Sequence, residues 1–209
     1  MDAIYSLEMT TIFPTMIGKI VRDDMIDDEI IISSLTSHWK QDLKELVNQT
    51  HGSMHKLEEF SSLNNFILDG VRQYLRHYEY EFKDEDLYIA SCWVNYSTGI
   101  AVSHNSHTHS NSLMSAVYYL SAPEGSAYIV FEHPNALVNA LDPYYTNHNT
   151  YNSTSFKLQP KKGSCVIFKS TTKHYTAANK LNPNEKRMSV GYTLNLHRLG
   201  SITNLGNYE

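Results

Sequence analysis

The sequence predicts an α+β fold, mainly β, in which helices precede and back a sheet-rich core. Apolar residues recur at helical spacing in the first part of the chain, and short segments rich in β-branched and aromatic residues follow from Leu87. This order is typical of helices that cover a sandwich or barrel. The 209 residues suit one domain, with a strand and supporting helices in residues 1–86 and the β core in residues 87–200.

One short strand and two helices are expected before the β core. Residues 11–20 look like a strand broken by Pro14. A helix should begin at residues 23–28, whose acidic side chains suit a first turn, and continue to about Leu46. The clearest helix covers residues 58–80, because it has a single apolar stripe. The stripe consists of Phe60, Leu63, Ile67, Val71, Tyr74, Leu75 and Tyr78.

Five segments of the second part predict strands, because each is short, apolar and bounded by turn residues. They are residues 88–96, 112–121, 126–133, 163–170 and 187–197. Residues 135–155 form a long polar stretch rich in Tyr and Asn. Loops of this length often close over a site or bind a ligand.

Composition narrows the classes of function. With 41% hydrophobic and 19% charged residues, the chain can bury a sizeable core, which excludes disorder and a fibrous protein. A net charge of −5 with scattered Lys and Arg argues against nucleic-acid binding. No apolar run approaches the ~20 residues that cross a bilayer, and the N-terminus lacks a signal-peptide pattern. Cys92 and Cys165 are the only cysteines, so we expect a cytoplasmic protein without a membrane partner.

The densest motif is His104-Asn-Ser-His107-Thr-His109. Residues two apart in an extended chain point to the same side, about 6–7 Å from each other, so His107 and His109 could share a metal ion. The best third ligand is His174, in a predicted turn after the strand at residues 163–170. Three neutral nitrogens suit Zn, Fe, Cu or Ni without choosing among them. His104 could replace one of the pair, and a lone His-x-His is more often structural than metal-binding.

The last strand adds a candidate anion site. Strand alternation places four residues on one face, namely Arg187, Ser189, Gly191 and Thr193. The opposite face carries Met188, Val190, Tyr192 and Leu194. A polar strand face usually contacts water. If it instead lined a barrel, the Arg187 cation would need a buried anion, and a carboxylate held by the guanidinium fork would supply one.

Tyr119 is a candidate for the same anion. It shares a strand face with Ser115 and Val117 and could offer its hydroxyl. The general alternative is a buried tyrosine whose hydroxyl bonds to backbone.

Together these segments resemble the 2-oxoglutarate and Fe(II)-dependent oxygenases, particularly a compact bacterial and phage branch related to the prolyl hydroxylases. The matching pieces occur in the family's order and cover nearly the whole chain. They are IFPT (12–15), Trp93-Val-Asn95, HTHSNSLMSAVYYL (107–120), GSAYIVFEHP (125–134), GSCVIFKS (163–170), His174 and Arg187-Met-Ser189.

The resemblance implies a double-stranded β-helix, that is, a jelly-roll or cupin-like core, with Fe(II) held at its mouth. The metal ligands it implies are His107, His109 and His174. The residues it implies for the cosubstrate 2-oxoglutarate are Arg187, Ser189 and Tyr119. Asn95 and Tyr96, on the strand that enters the site, are weaker candidates for contact with the cosubstrate or the substrate. No catalytic residue is expected beyond these ligands.

The implied activity is that of a dioxygenase that couples decarboxylation of 2-oxoglutarate to C–H oxidation with O2. A hydroxylase is the expected form, and kinship with prolyl hydroxylases makes a peptidyl proline the first substrate to consider, although such analogy is a poor guide. The family's common pattern is His-x-Asp/Glu. His109 replaces an anionic oxygen by a neutral nitrogen, which adds positive charge and should weaken Fe(II) retention against softer metals.

Two other interpretations stay open. A three-His dioxygenase of the cupin type would use O2 without 2-oxoglutarate, and Arg187 would then bind a substrate carboxylate. A non-catalytic jelly-roll protein with Zn or Ni would have no need of Arg187, Ser189 and Tyr119. The substrate is expected to be a small molecule or a peptide, and the sequence does not specify whether an edge strand pairs two subunits as a homodimer.

Overall fold

The structure is a computed structural model that describes residues 7–39, 47–100, 104–135 and 144–197. Two antiparallel sheets and two α-helices make up most of it. The helices are α1 (Ile26–Ser34) and α2 (Ser61–His77). The strands are β1 (Gly18–Val21), β2 (Val47–Gln49), β3 (Leu87–Thr98), β4 (Met114–Ser121), β5 (Ile129–Glu132), β6 (Ser155–Leu158), β7 (Ser164–Lys169), β8 (His174–Thr176) and β9 (Lys186–Leu196). Short 3-10 helices cover Leu35–Ser37, Met54–Lys56, Glu58–Phe60 and Asp84–Asp86.

The larger sheet has six strands in the order β1-β7-β4-β9-β3-β2, and the smaller has three in the order β6-β5-β8. One face of the larger sheet packs against the helices. The apolar residues of β9 lie on that face, because Met188, Val190, Tyr192 and Leu194 join the apolar stripe of α2 in one buried cluster. The predicted alternation of β9 is therefore confirmed.

A second apolar cluster joins the larger sheet to the smaller one. It contains Tyr119, Val166 and Phe168 from the larger sheet and Ile129 and Phe131 from the smaller. The space between the sheets is therefore the interior of the β core, and the polar side chains of β3 and β9 lie on this inner face. The α+β, mainly β prediction is confirmed.

The helix expected over residues 23–46 is wrong in its length. Helix α1 ends at Ser34, a 3-10 turn follows, and residues 40–46 lie outside the described residues. Three hydroxyls explain the early end, since they bond to backbone carbonyls and so compete with helical hydrogen bonding. Ser33 Oγ donates to Glu29 O at 2.7 Å, Ser34 Oγ to Ile31 O at 2.8 Å, and Thr36 Oγ1 to Ser33 O at 3.3 Å.

The predicted strand at residues 11–20 is mostly wrong, because only Gly18–Val21 forms a strand. Phe13 has a positive φ of 53°, which interrupts an extended path before Pro14. The helix expected over residues 58–80 is confirmed in its core. It ends at His77, and Glu79 then takes a left-handed φ of 55°.

All five predicted strands are present, with ends shifted by a few residues. Three further strands were missed, because β2, β6 and β8 have only three or four residues each. Of the predicted loop at 135–155, residues 136–143 lie outside the described residues, and β6 begins at Ser155. Within the described ranges, every helix is too short or too polar to span a membrane.

Candidate active site

Backbone pairing brings the three candidate metal ligands together. The N–H of His107 donates to the carbonyl of His174 at 2.9 Å, and the N–H of His174 donates back at 3.0 Å. The N–H of His109 donates to the carbonyl of Ser170 at 3.0 Å. The His-x-His segment is thus held as an added strand along the chain that leads into β8. His174 lies in β8 itself, so its predicted place in a turn is wrong.

The ring nitrogens of these histidines converge on one point. One nitrogen from each ring lies within 4.8 Å of the other two, and the ring centroids are 4.5–5.2 Å apart. Two rings are fixed by their other nitrogen, since Nδ1 lies 2.7 Å from Asn105 O in His107 and 2.9 Å from Thr172 O in His174. A protonated Nδ1 that donates to a carbonyl leaves Nε2 with a lone pair for a metal. His104 is not a member of this group.

Burial favours the neutral imidazole of His109 and of His174, which is the form that binds a metal. His174 is only 5% exposed, and its burial lowers its pKa below the usual value. Burial, together with His174 and His107, lowers the pKa of His109 to about 4. Phe168 and Phe131 pack against His174, with ring centroids 4.7 and 6.1 Å away. The group therefore suits a transition metal with imidazole ligands.

Arg187 is a buried cation on the inner face of β9. It is 4% exposed, its Nη1 donates to Ser189 Oγ at 3.1 Å, and its guanidinium carbon lies 5.3 Å from the ring centroid of Tyr119. No carboxylate of the described residues forms an ion pair with it, and burial lowers the pKa of Arg187. Arg187 Nε and the Tyr119 hydroxyl have no hydrogen-bond partner within the described region.

This pocket fits one carboxylate of a dicarboxylic acid. A buried guanidinium without an anion is costly, and a carboxylate can accept both from its fork and from a neighbouring hydroxyl. Ser189 pairs with Tyr119 across β9 and β4, so both hydroxyls border the same space. Gly191 is four residues from Arg187 on the same face of β9, about 13 Å along the strand. It lies against the Trp93 ring, which neighbours His109, so the anion site and the histidines are connected along one face of the β core.

The two weaker candidates, Asn95 and Tyr96, lie on opposite faces of β3. Asn95 lies on the inner face of β3, opposite Ser189, and accepts a hydrogen bond from Gln49 Nε2 at 3.0 Å. Tyr96 lies on the other face, where its ring packs 5.7 Å from that of Trp39 against the helix-side core. The prediction that Tyr96 contacts the cosubstrate is therefore wrong, because consecutive strand residues point to opposite faces.

Trp93, which borders the histidines, was not predicted as a site residue. The Trp93 ring lies 5.7 Å from that of His109, and its indole crosses Gly191 of the neighbouring strand. The available signal was the position of Trp93 two residues before Asn95, which puts both on one strand face. The contact with Gly191 depends on the register of β3 against β9, which the sequence does not contain.

A cavity of about 1060 Å³ lies beside this centre, and its lining includes Thr108, between His107 and His109, and Lys173 and Tyr175, on either side of His174. None of the three histidines lines it, and neither does Arg187. The candidate chemistry therefore lies with the converging side chains and not in this cavity. Of the three histidines, His107 is the most exposed, His109 is half-buried and His174 is buried.

Part of the chain matches a known protein family. A family model for 2OG-Fe(II) oxygenases matches residues 91–193, about half of the chain, which include the three histidines, Arg187 and Ser189. No curated protein sequence matches the chain.

Solved structures match over most of the chain. HygX from Streptomyces hygroscopicus, with nickel and 2-oxoglutarate bound, has a TM-score of 0.57 at 12% identity, covering 87% of this chain and 83% of its own. A Pseudomonas putida prolyl-4-hydroxylase has a TM-score of 0.57 at 10% identity, with 86% and 92% covered. A 2OG-Fe(II) oxygenase family oxidoreductase from Burkholderia pseudomallei has 0.55 at 11%, with 83% and 78% covered. At such identity the likeness establishes the jelly-roll fold, which confirms the predicted double-stranded β-helix.

The β core of the chain, matched over residues 91–193, belongs to the 2-oxoglutarate and Fe(II)-dependent oxygenases. Members of this class are dioxygenases, and their cofactors are Fe(II), 2-oxoglutarate and O2.

Proposed function

We propose that this protein is a hydroxylase in which His107, His109 and His174 hold Fe(II) and Arg187 binds the distal carboxylate of 2-oxoglutarate. The observation that carries the proposal is Arg187, a 4% exposed cation on the inner face of β9 with no anionic partner among the described residues. A protein that only held a metal would have no use for it. The cost of burying this charge is offset when a carboxylate binds.

The protein's own residues bind and orient. Tyr119 and Ser189 add hydroxyls beside the guanidinium, so the carboxylate is held in one orientation. Phe131 and Phe168, 4% and 0% exposed, close the His174 side of the centre to water. When bound, the iron and its cosubstrate supply the oxidation of a C–H bond, coupled to loss of carbon dioxide from 2-oxoglutarate.

The substrate class that we propose is broad, namely a small molecule or a peptide. Relatives with this fold include a prolyl-4-hydroxylase, which supports hydroxylation of a peptide, and an enzyme whose structure was solved with hygromycin B bound, which supports a small molecule. Cys92 and Cys165 are buried free thiols, which suits a reducing compartment and supports a cytoplasmic location, the host cytoplasm if the protein is phage-encoded.

The test is anaerobic reconstitution with Fe(II), followed by addition of 2-oxoglutarate and a search for the weak visible charge-transfer band of the chelate. We expect the band in the parent protein and in Lys186→Met, which changes an exposed neighbour on the same strand. We expect no band in His174→Ala or in Arg187→Ala at the same concentrations.

The outcomes separate the alternatives. A parent protein that binds the metal but shows no band would overturn the proposal and favour a three-His dioxygenase that works without 2-oxoglutarate. Succinate formation in air, measured on the same samples, separates turnover from mere chelation.

A further inference from the structure

One aromatic side chain beside the histidines is left open to a ligand. Three aromatic rings contact the group, namely Trp93, Phe131 and Phe168. Phe131 and Phe168 are 4% and 0% exposed, whereas Trp93 is only partly buried. Of these three rings, the indole of Trp93 therefore offers the most surface to a ligand at the histidines.

The orientation of this indole is set by a glycine. A Cβ at Gly191 would lie 2.6 Å from Cε2, 2.7 Å from Cζ2 and 3.0 Å from Nε1 of Trp93. These three atoms are consecutive in the indole and the middle one, Cε2, is the nearest, so Gly191 lies against the ring face and not against the ring edge. The opposite face is turned away from that strand. The His109 ring lies 5.7 Å from the indole between centroids, with the two planes tilted by 45°.

A hydrogen-bond donor lies beside the indole on the same strand face. Asn95 is two residues from Trp93 and pairs with Ser189 across the strands. Gln49 Nε2 donates to its Oδ1 at 3.0 Å, which fixes the amide so that Nδ2 is the free end. Asn95 Nδ2 has no acceptor among the residues described, so it can donate to a ligand oxygen.

We propose that Trp93 and Asn95 are substrate-positioning residues, and that the substrate presents a saturated, oxygen-bearing ring of the sugar type. This rests on the proposed function, because oxidation of a C–H bond requires a saturated carbon next to the metal. The C–H face of such a ring stacks on an indole, which offers a large apolar surface and a negative face. Asn95 Nδ2 donates to a ring substituent, and Gln49, Ser91 and Asn95 are uncharged. The nearby cation, Arg187, is bonded to Ser189 opposite Asn95, and in the proposed function it is occupied by 2-oxoglutarate.

The experiment uses Trp93 as its own reporter. The chain has two tryptophans, so Trp39→Phe leaves Trp93 as the single emitter. The full-length variant, loaded with Ni(II) and 2-oxoglutarate, is titrated with a panel of methyl glycosides, with acetyl-proline amide and with p-cresol. We expect a saturable change in emission with at least one glycoside and a smaller or absent response to the other two probes.

Variants then locate the interaction. For the responding glycoside, Trp93→Leu and Asn95→Leu should each raise the dissociation constant at least tenfold by calorimetry, while Trp93→Phe should recover most of the affinity. Tyr96→Phe, the neighbour on the opposite strand face, is the matched control and should bind like the parent. This rescue by Phe is not expected of a residue with a purely structural role.

Two results would overturn the inference. One is an emission that no glycoside changes, or that only the proline amide or the cresol changes. The other is a glycoside that binds Trp93→Leu and the parent equally. Neither depends on iron turnover, so failure of the 2-oxoglutarate chelate test would reject the proposed function separately.

Discussion

Replacing Arg187 with Met should stabilise the ligand-free protein and abolish its response to 2-oxoglutarate. Arg187 is 4% exposed, bonded only to Ser189 Oγ, and without an ion pair in the described region. Apolar replacement of buried charges is neutral or stabilising by roughly 1–4 kcal/mol. At about 2–4 °C per kcal/mol for a chain of this size, the melting temperature should rise by several degrees.

The same change should weaken cosubstrate binding strongly. Loss of one member of a buried, hydrogen-bonded charge pair costs about 2–5 kcal/mol, so the dissociation constant of 2-oxoglutarate should rise at least 30-fold. In the parent, 2-oxoglutarate at 100 times its dissociation constant adds about 2.7 kcal/mol of stability. Thermal unfolding of the Ni(II)-loaded proteins, with and without 2-oxoglutarate, measures both effects.

Two controls make the result specific. Arg187→Lys retains the charge but lacks the planar fork, so its affinity should be intermediate. Lys186→Met removes an exposed charge and should change neither quantity. The reasoning would be refuted by an Arg187→Met protein that melts lower without ligand and still gains stability from 2-oxoglutarate, because Arg187 would then be a structural cation.

Three further predictions concern the scaffold. Ser170→Ala removes a buried hydroxyl that is hydrogen-bonded to Ser115 at 2.8 Å and to Ser112 at 2.9 Å. Chemical denaturation should show that the free energy of unfolding falls by about 1–3 kcal/mol. Calorimetry should show a weaker Ni(II) affinity. A Ni(II) affinity equal to that of the parent would show that this hydroxyl does not help to position the metal site. Gly191→Ala forces Trp93 to move and should cost about 1–3 kcal/mol while shifting Trp93 emission in the Trp39→Phe background. An unchanged spectrum would contradict the stacking. Burial raises the pKa of Asp28, although the Tyr118 hydroxyl donates a hydrogen bond to its carboxylate at 2.9 Å. The contribution of Asp28 to stability is therefore present at low pH. It is lost as the pH rises through the raised pKa, above the ordinary value near 4. Between pH 4 and pH 7, urea unfolding should show that the parent loses stability relative to Asp28→Asn. A relative gain in stability would show that the pKa of Asp28 is not raised.

Local rules gave the parts of the site that lie along one strand. The two-residue period of an extended chain grouped His107 with His109 and Arg187 with Ser189, and both groupings are present in the structure. The same rule, applied to Asn95 and Tyr96, would have excluded one of them, because neighbours cannot share a face. The error over Tyr96 was therefore avoidable.

Other parts depend on contacts between distant segments. Strand β8 has three residues, too few for a periodic pattern, and His174 is positioned by its pairing with His107. The contact of Trp93 with Gly191 needs the register of β3 on β9. The early end of α1 reflects serine and threonine hydroxyls that compete for carbonyls, a choice that the acidic first turn did not reveal.

The backbones of the three candidate ligand histidines are positioned by main-chain hydrogen bonds. Reciprocal hydrogen bonds join His107 to His174, and the N–H of His109 is bound to Ser170, whichever side chains these positions carry. Donor identity and donor position are thus separable, so the chemistry at position 109 can change while the scaffold stays the same. His109→Asp would convert the neutral set to the two-histidine, one-carboxylate set of non-haem iron oxygenases in a single substitution. The backbone hydrogen bond of residue 109 to Ser170 does not depend on which donor this position carries, so such an exchange alters the metal preference without altering the fold.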